Sequence, residues 1–162
     1  MNTTWLDALG LEQPTTTEEL RTVLRAFKDG DPNGNGAADE VPLSGSASEP
    51  IINYLMNAFT YAPVGGPSSP PPLVLDGDEV VLNATSDSWR AGLEYITSLA
   101  QEGLLDTAAF TQNGDALKAL GDSADAQILG SAVTLHPYVF VSADSPDCLL
   151  YTSPSPRDRQ KS

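Results

Sequence analysis

A twelve-residue segment, DGDPNGNGAADE at Asp29–Glu40, constrains the fold of this chain more than any other stretch. Its proline and glycines exclude a continuous helix or a central strand, so a loop must separate the elements on either side. Acids and amides stand at alternate positions with glycines between them. Such a loop can wrap oxygen ligands around a calcium ion, because the glycines permit the sharp turns that this requires.

Two registers of this loop are open. In the first, the twelve-residue EF-hand pattern begins at Asp29 and ends at Glu40, and every required position is satisfied. In the second it begins at Asp31, Pro42 falls at the twelfth position, and Glu40 supplies the closing carboxylate. We favour the second because it offers four side-chain oxygen donors, whereas the first places Ala37 at the ninth position. The predicted ligands are Asp31, Asn33, Asn35, the carbonyl of Ala37, Asp39 and Glu40. All of them are oxygen donors, which favours calcium; the alternative is a solvated Asn/Gly turn that binds no metal.

Helical patterns precede and follow the loop. Thr16 and Glu19 have the spacing of a capping box, and the apolar stripe Leu20, Val23, Leu24 and Phe27 follows them. A shorter helix is predicted at Trp5–Leu9, ending at Gly10, and another begins near Pro50. The longest is capped by Ser86, ends at Gly103 and has an apolar stripe predicted to be core: Trp89, Leu93, Ile96, Leu99 and Ala100.

Strand patterns are fewer. A hairpin is predicted from Leu73 to Asn83 around the turn at Asp76–Asp78, and further strand material at 132–135 and 138–141, interrupted by Pro137. Short helices are predicted around Asn113. Helices that alternate with single strands indicate an α/β or α+β fold, with fewer strands than a complete sheet needs.

Composition excludes several classes of function. The 162 residues hold 22 acidic and 8 basic side chains, a net charge of -14, which disfavours binding to nucleic acid or to an anionic membrane surface. One cysteine, Cys148, cannot form an internal disulfide or a cysteine zinc cluster. One histidine, His136, and no paired nucleophile leave no catalytic triad, so we expect no enzymatic activity.

The last fifteen residues differ from the rest of the chain. They contain three of the basic residues and one acid, and CLLYTSPSPRD at 148–158 is the translation of a transposase adapter used in sequencing libraries. We therefore expect residues 1–147 to be natural protein and 148–162 to be a disordered, adapter-derived tail. By the same reasoning, Met1 is expected to be an internal methionine of a longer gene.

Residues 2–141 resemble the extracellular solute-binding proteins of bacterial ABC importers, in the branch that binds oligosaccharides. The resemblance rests on WLDALGL, PTTTEEL and DPNGNGAADE in that order, then on INYLMNAF and EVVLNATSDSWRAGLEYITSLAQEGLLD. It implies the type II fold of periplasmic binding proteins, with two α/β lobes that close on a sugar about a hinge. This chain would be most of one lobe, helix-rich with few strands.

The resemblance also implies the biological setting. The full-length protein would be a lipoprotein outside the membrane or in the periplasm, with an oligosaccharide ligand and the permease subunits of a transporter as partners. It would contact the membrane only through a lipid anchor that lies outside this chain. The family's calcium ligands match the second register of the loop, and the ion there is structural.

Sugar sites need aromatic faces and fixed polar groups. Carried over from the family, the residues nearest the cleft would be Glu49, Tyr54, His136 and Tyr138. Two other classes remain open at this point. A docking module of a secreted polysaccharide-degrading enzyme uses similar loops, normally in two copies, and an intracellular calcium sensor would need paired loops and a Met-rich groove.

Overall fold

The structure, a computed structural model, describes residues 1–63, 72–123, 127–134, 136 and 139–141. Residues 142–162, which include the predicted tail, lie outside the described residues, as does Tyr138. The elements are the helices α1 (Thr3–Leu9), α2 (Thr17–Asp29), α3 (Ile51–Met56), α4 (Asp87–Gln101) and α5 (Gly114–Gly121), the strands β1 (Leu73–Asp76) and β2 (Glu79–Leu82), and 3-10 turns at Asn83–Thr85 and Thr107–Phe110.

The predicted capping signals of the first two helices are confirmed. Gly10 ends α1 in the left-handed region at φ 64°, and the Thr16 side chain accepts a hydrogen bond from the Glu19 amide while the Glu19 carboxylate accepts from the Thr16 amide. Both helices bury one face in a shared cluster. The ring of Trp5 meets that of Phe27 edge to face, with centroids 5.2 Å apart.

The larger core lies between α2, α3 and α4. Ser86 caps α4 as predicted, and Gly103 adopts φ 69° just after its end. The apolar stripe of α4 is buried at Ile96 and Leu99, but Leu93 is 41% exposed, so its assignment to the core was wrong. Leu93 instead lines a surface groove with Trp89 and Thr97, whereas the adjacent Gly92 is the position that packs against Met56 of α3.

The predicted hairpin is confirmed. β1 and β2 pair antiparallel from Leu73↔Leu82 to Asp76↔Glu79. A two-residue loop joins them, and Gly77 has φ 61° at its first position, where a type II′ turn requires a positive φ. The hairpin leads directly into the turn before α4.

Segment 41–46 takes part in short parallel pairings that the sequence did not reveal. Val41 and Ser44 form parallel bridges with Leu129 and Ala132, and Leu43 forms one with Leu105 on the other side. The segment 41–46 therefore lies between 128–133 and Leu105. These pairings connect parts of the chain that are far apart in sequence.

The strand predicted at 138–141 is not observed at its described residues. The Val139 amide donates a hydrogen bond to the His136 carbonyl oxygen at 3.0 Å, which closes a turn, and Phe140 lies in a turn. At 132–135 the prediction holds only for the bridge at Ala132, and Leu135 lies outside the described residues.

Candidate functional site

The loop between α2 and residue 41 contains the predicted metal ligands. Its backbone turns sharply at three residues with positive φ: Asp31 at 45°, Gly34 at 70° and Gly36 at 72°. Glycine adopts this region without steric cost, which explains the glycines at two of the turns. Asp31 is the one residue other than glycine with positive φ among the described residues, and its side chain is held within the loop.

Side-chain oxygens of the loop point inward, toward its own backbone amides. The carboxylate of Asp31 accepts hydrogen bonds from the amides of Asn35 at 3.0 Å and Gly36 at 3.1 Å. The side-chain oxygen of Asn33 accepts from the Asn35 amide at 3.1 Å, and that of Asn35 from the Ala37 amide at 2.7 Å. This network is organised around Asp31, as in the second register. Asp29, the first residue of the other register, is the exposed last residue of α2.

The acids at the end of the loop differ in their surroundings. Asp39 accepts hydrogen bonds from the side-chain amide of Asn35, at 3.2 Å to each of its oxygens, and from that of Asn33 at 3.5 Å. In Glu40, by contrast, Oε1 is buried without a hydrogen-bond partner among the described residues. A buried carboxylate oxygen without a partner is costly, and a cation would supply the missing interaction.

This donor set fits a hard cation such as calcium, because every predicted ligand presents oxygen. Among the described residues, no three His, Cys, Asp or Glu side chains form a group that could hold a metal. The fit therefore depends on amide and carbonyl oxygens together with the three acids of the loop.

Two of the predicted sugar-contacting residues lie together beyond segment 41–46. Glu49 pairs with Ser46 in an antiparallel bridge, and Tyr54 lies on α3. Burial, and then the negative charge of Glu49, raise the pKa of the Tyr54 hydroxyl. That hydroxyl is buried and has no hydrogen-bond partner in the part of the chain that the structure describes.

His136 follows the neighbouring segment. Its side chain is exposed, and its carbonyl oxygen accepts hydrogen bonds from the Val139 amide at 3.0 Å and the Thr134 hydroxyl at 2.9 Å. Because Ser44 and Ala132 pair in parallel, both segments run toward the same end. Glu49 and His136 therefore follow the carboxyl ends of adjacent parallel segments, where ligands bind in open α/β sheets.

A partly buried polar network supports this end of the pairing, and the sequence did not reveal it. The Ser44 hydroxyl donates to Asp106 at 2.8 Å and accepts from the Gln112 side chain at 2.9 Å, and Gln112 also donates to the Gly45 carbonyl at 2.7 Å. The other oxygen of Asp106 caps the turn at Thr107–Phe110. The sequence signal for this network was Asp106, a residue type that caps helical turns. That signal does not predict a contact with Ser44, which is fully buried.

No protein-family model matches the chain. A curated relative is the fructooligosaccharide ABC transporter substrate-binding protein FusA of Streptococcus pneumoniae serotype 4, which is 39% identical over 125 residues, 75% of this chain and 22% of FusA. The lipoprotein LipO of Bacillus subtilis is 46% identical over 39 residues, 24% of this chain and 8% of LipO.

Solved structures of substrate-binding proteins resemble the same part of the chain. FusA in complex with kestose has a TM-score of 0.65 at 38% identity, over 80% of this chain and 26% of that one. A FusA EF-hand mutant in complex with fructo-nystose has a TM-score of 0.64 at 36% identity, over the same 80% and 26%. An extracellular solute-binding protein of Bifidobacterium longum subsp. infantis has a TM-score of 0.73 at 28% identity, over 94% of this chain and 35% of that one.

The chain is thus homologous to part of the substrate-binding proteins of ABC transporters, which confirms the resemblance. Its fold is a partial, helix-rich form of the periplasmic-binding-protein fold. The relatives are described as substrate-binding proteins of transporters, which agrees with the expectation of no enzymatic activity and disfavours the docking-module alternative. The chain spans about a fifth of FusA. No helix in the described part of the chain is long and apolar enough to cross a membrane.

Proposed function

We propose that this chain is part of one lobe of an oligosaccharide receptor for an ABC importer. The receptor would capture its sugar outside the membrane by hinge closure of two lobes and deliver it to permease subunits. The observation that carries this proposal is the 39% identity to FusA over 75% of the chain. A lipid anchor on the full-length protein is proposed from the similarity to LipO.

The ligand class follows from the same relatives. FusA structures contain kestose or fructo-nystose, so a short fructose-containing oligosaccharide is the first ligand to test. Glu49, Tyr54, His136 and Tyr138 are the proposed contacts. Tyr54 offers an aromatic face and Glu49 a hydrogen-bond acceptor, which are the two kinds of group that sugar recognition requires.

Binding of the sugar can be tested by titrating kestose into the isotope-labelled 162-residue chain with calcium present and recording amide NMR shifts. Part of a cleft binds weakly, so millimolar sugar is used. We expect saturable shifts at Glu49, Tyr54 and His136, and their loss in Tyr54→Ala. The control is Tyr61→Ala, since Tyr61 is 55% exposed and lies outside α3. Absence of saturable shifts near Glu49 in the folded chain would refute the proposed site.

We also propose a structural calcium ion in the loop, held by Asp31, Asn33, Asn35, the Ala37 carbonyl, Asp39 and Glu40. When bound, the ion would neutralise the acids and fix the loop. Three observations support it: the inward-facing oxygens around Asp31, the buried Glu40 oxygen, which no other described residue contacts by a hydrogen bond, and a relative of known structure described as an EF-hand mutant.

Calcium binding can be tested by calorimetry and by thermal unfolding with calcium or with chelator. We expect calcium to raise the melting temperature of the chain, and Asp31→Ala to abolish the increase. Asp29→Ala is the control: it removes one negative charge at the last residue of α2, two residues before Asp31 and outside the hydrogen-bond network of the loop. It should preserve most of the increase in melting temperature. Equal melting curves with calcium and chelator would refute the calcium site, whereas a larger effect of Asp29→Ala would restore the first register.

The division of the chain at residues 147 and 148 is likewise a proposal, with 1–147 as receptor and 148–162 as adapter sequence. Sequencing the genomic locus through the codons of Asp147 and Cys148 tests it. A reading frame that continues past Asp147 into a different sequence supports the division. A genomic CLLYTSPSPRD would refute it.

A further inference from the structure

Asn33 is a loop residue with one hydrogen bond that leaves the loop. Its side-chain nitrogen donates to the carbonyl oxygen of Gln127 at 3.1 Å. Its side-chain oxygen, on the same rigid amide group, accepts from the Asn35 amide and is one of the predicted calcium ligands. The oxygen of this amide thus faces the loop, whereas its nitrogen, which also makes a longer hydrogen bond to Asp39 at 3.5 Å, reaches the segment at Gln127.

Gln127 stands at the start of the segment that pairs with 41–46. The next residue, Ile128, begins the pairing: its carbonyl oxygen accepts a hydrogen bond from the Val41 amide at 2.7 Å. The Gly130 amide donates to the Val41 carbonyl at 2.9 Å. The pairing continues through Ser44, whose amide donates to Ser131 at 3.0 Å. Beyond it, one segment leads to Glu49 and the other to His136.

Asn35 provides the comparison. Its side-chain nitrogen donates to the two oxygens of Asp39, each at 3.2 Å, so these hydrogen bonds remain inside the loop. Asn33 and Asn35 thus have the same side chain, and both are predicted to bind the ion through their side-chain oxygen. They differ in whether their side-chain nitrogen reaches the segment at Gln127.

We propose that Asn33 is a positioning residue that couples the calcium loop to the parallel pairing of 41–46 with 128–133. An ion that binds the side-chain oxygen of Asn33 fixes the orientation of the amide, so its nitrogen is held toward the Gln127 carbonyl. Ion binding then restrains the pairing that leads to Glu49 and His136. This inference rests on the proposed calcium site and deepens it, since it assigns the ion an effect beyond the loop.

The test compares Asn33→Asp with Asn35→Asp in the 162-residue chain. Each substitution keeps an oxygen ligand and adds one negative charge, but only Asn33→Asp removes the donor to Gln127. Calcium affinity is measured by calorimetry, and amide hydrogen exchange is followed with calcium and with chelator. Amides of α4 report the change in global stability, and the amides of Val41, Ser44 and Gly130 report the pairing.

We expect calcium to slow exchange at Val41, Ser44 and Gly130 by more than it slows exchange in α4. In Asn33→Asp, the additional slowing of exchange at these three amides relative to α4 should fall about fivefold, which corresponds to the loss of one hydrogen bond. In Asn35→Asp the additional slowing should remain. Unchanged additional slowing in an Asn33→Asp protein that binds calcium would overturn the inference. Failure of the unsubstituted chain to bind calcium would instead refute the calcium site itself.

Discussion

Glu102 joins the end of α4 to α2 through charged side chains. Its carboxylate accepts hydrogen bonds from Arg21 and Arg25, and its carbonyl oxygen accepts from Lys28 at 2.5 Å. The guanidinium of Arg21 also lies over the ring of Tyr95, 4.9 Å from its centroid. The hydrogen bond from Arg25 is the largest of the effects that hold the pKa of Glu102 below its ordinary value of 4.5.

This shift predicts a pH dependence of stability. A carboxyl whose pKa is lower in the folded chain stabilises the fold above its unfolded pKa, and the contribution is lost as pH falls through the folded pKa. The free energy of unfolding of Glu102→Gln should therefore decline less steeply below pH 4.5 than that of the unsubstituted chain. Urea unfolding at a series of pH values measures this decline.

The control for Glu102 is Glu94→Gln, which makes the same change on the exposed side of α4. Glu94→Gln should leave the pH dependence close to that of the unsubstituted chain. If the two variants gave the same curve, the arginine contacts of Glu102 would have no measurable effect on acid stability. Exposed ion pairs can have that outcome, because solvent screens them.

Among the elements, the parallel pairing at 41–46 and 128–133 depends on a glycine. A Cβ atom added at Gly130 would lie 2.5 Å from the ring of Phe27, 2.8 Å from that of Trp5 and 3.0 Å from the Pro42 carbonyl oxygen. Both rings are buried, so neither can move away without disturbing the core formed with α1 and α2. Gly130 is therefore where the returning segment packs against these helices.

We expect Gly130→Ala to destabilise the fold by about 1–3 kcal/mol through overpacking. Gly114→Ala is the control, because a Cβ at Gly114, the first residue of α5, meets nothing within 4 Å. That variant should be neutral or slightly stabilising. Urea unfolding of both variants provides the measurement, and equal stabilities would show that Gly130 is not tightly enclosed.

The same elements show how far sequence analysis could go. The helices α1, α2 and α4 and the hairpin were predicted because their signals are local: caps at Thr16 and Ser86, and a glycine at the turn of the hairpin. The short parallel pairings were missed because they are set by contacts between distant segments. Ser44 illustrates the difficulty: no strand was predicted around it, yet it takes part in the pairing and is fully buried.

The candidate site divides in the same way. The predicted loop ligands could be proposed as a group because they lie within ten residues. The structure shows the Asp31 carboxylate accepting hydrogen bonds from the amides of Asn35 and Gly36, and calcium binding by the group stays a prediction. The contact from Asn33 to Gln127 could not be predicted, because it joins residues 94 positions apart. His136 was predicted to line the cleft. The residue comes after the segment 128–133 and its side chain is exposed, and contact with a sugar stays a prediction.

At the scale of the whole molecule, charge dominates. A net charge of -14 on 162 residues destabilises a compact state through repulsion among the acids. Salt screens this repulsion, so raising the ionic strength with NaCl should increase the melting temperature of the chain. This effect is general and should not depend on which residue of the loop is substituted.

Calcium should act differently from other salts because the proposed site is specific. At constant ionic strength, calcium at about 100 times its dissociation constant should stabilise the fold by about 2.7 kcal/mol, since it binds the folded chain. Magnesium is the control: it demands octahedral geometry and loses water reluctantly, so this loop should bind it less well. Thermal unfolding in the two chloride salts measures the difference. If the two ions gave equal stabilisation at equal ionic strength and Asp31→Ala left that stabilisation unchanged, the effect would come from screening of the acidic surface, and the loop would not be a calcium site.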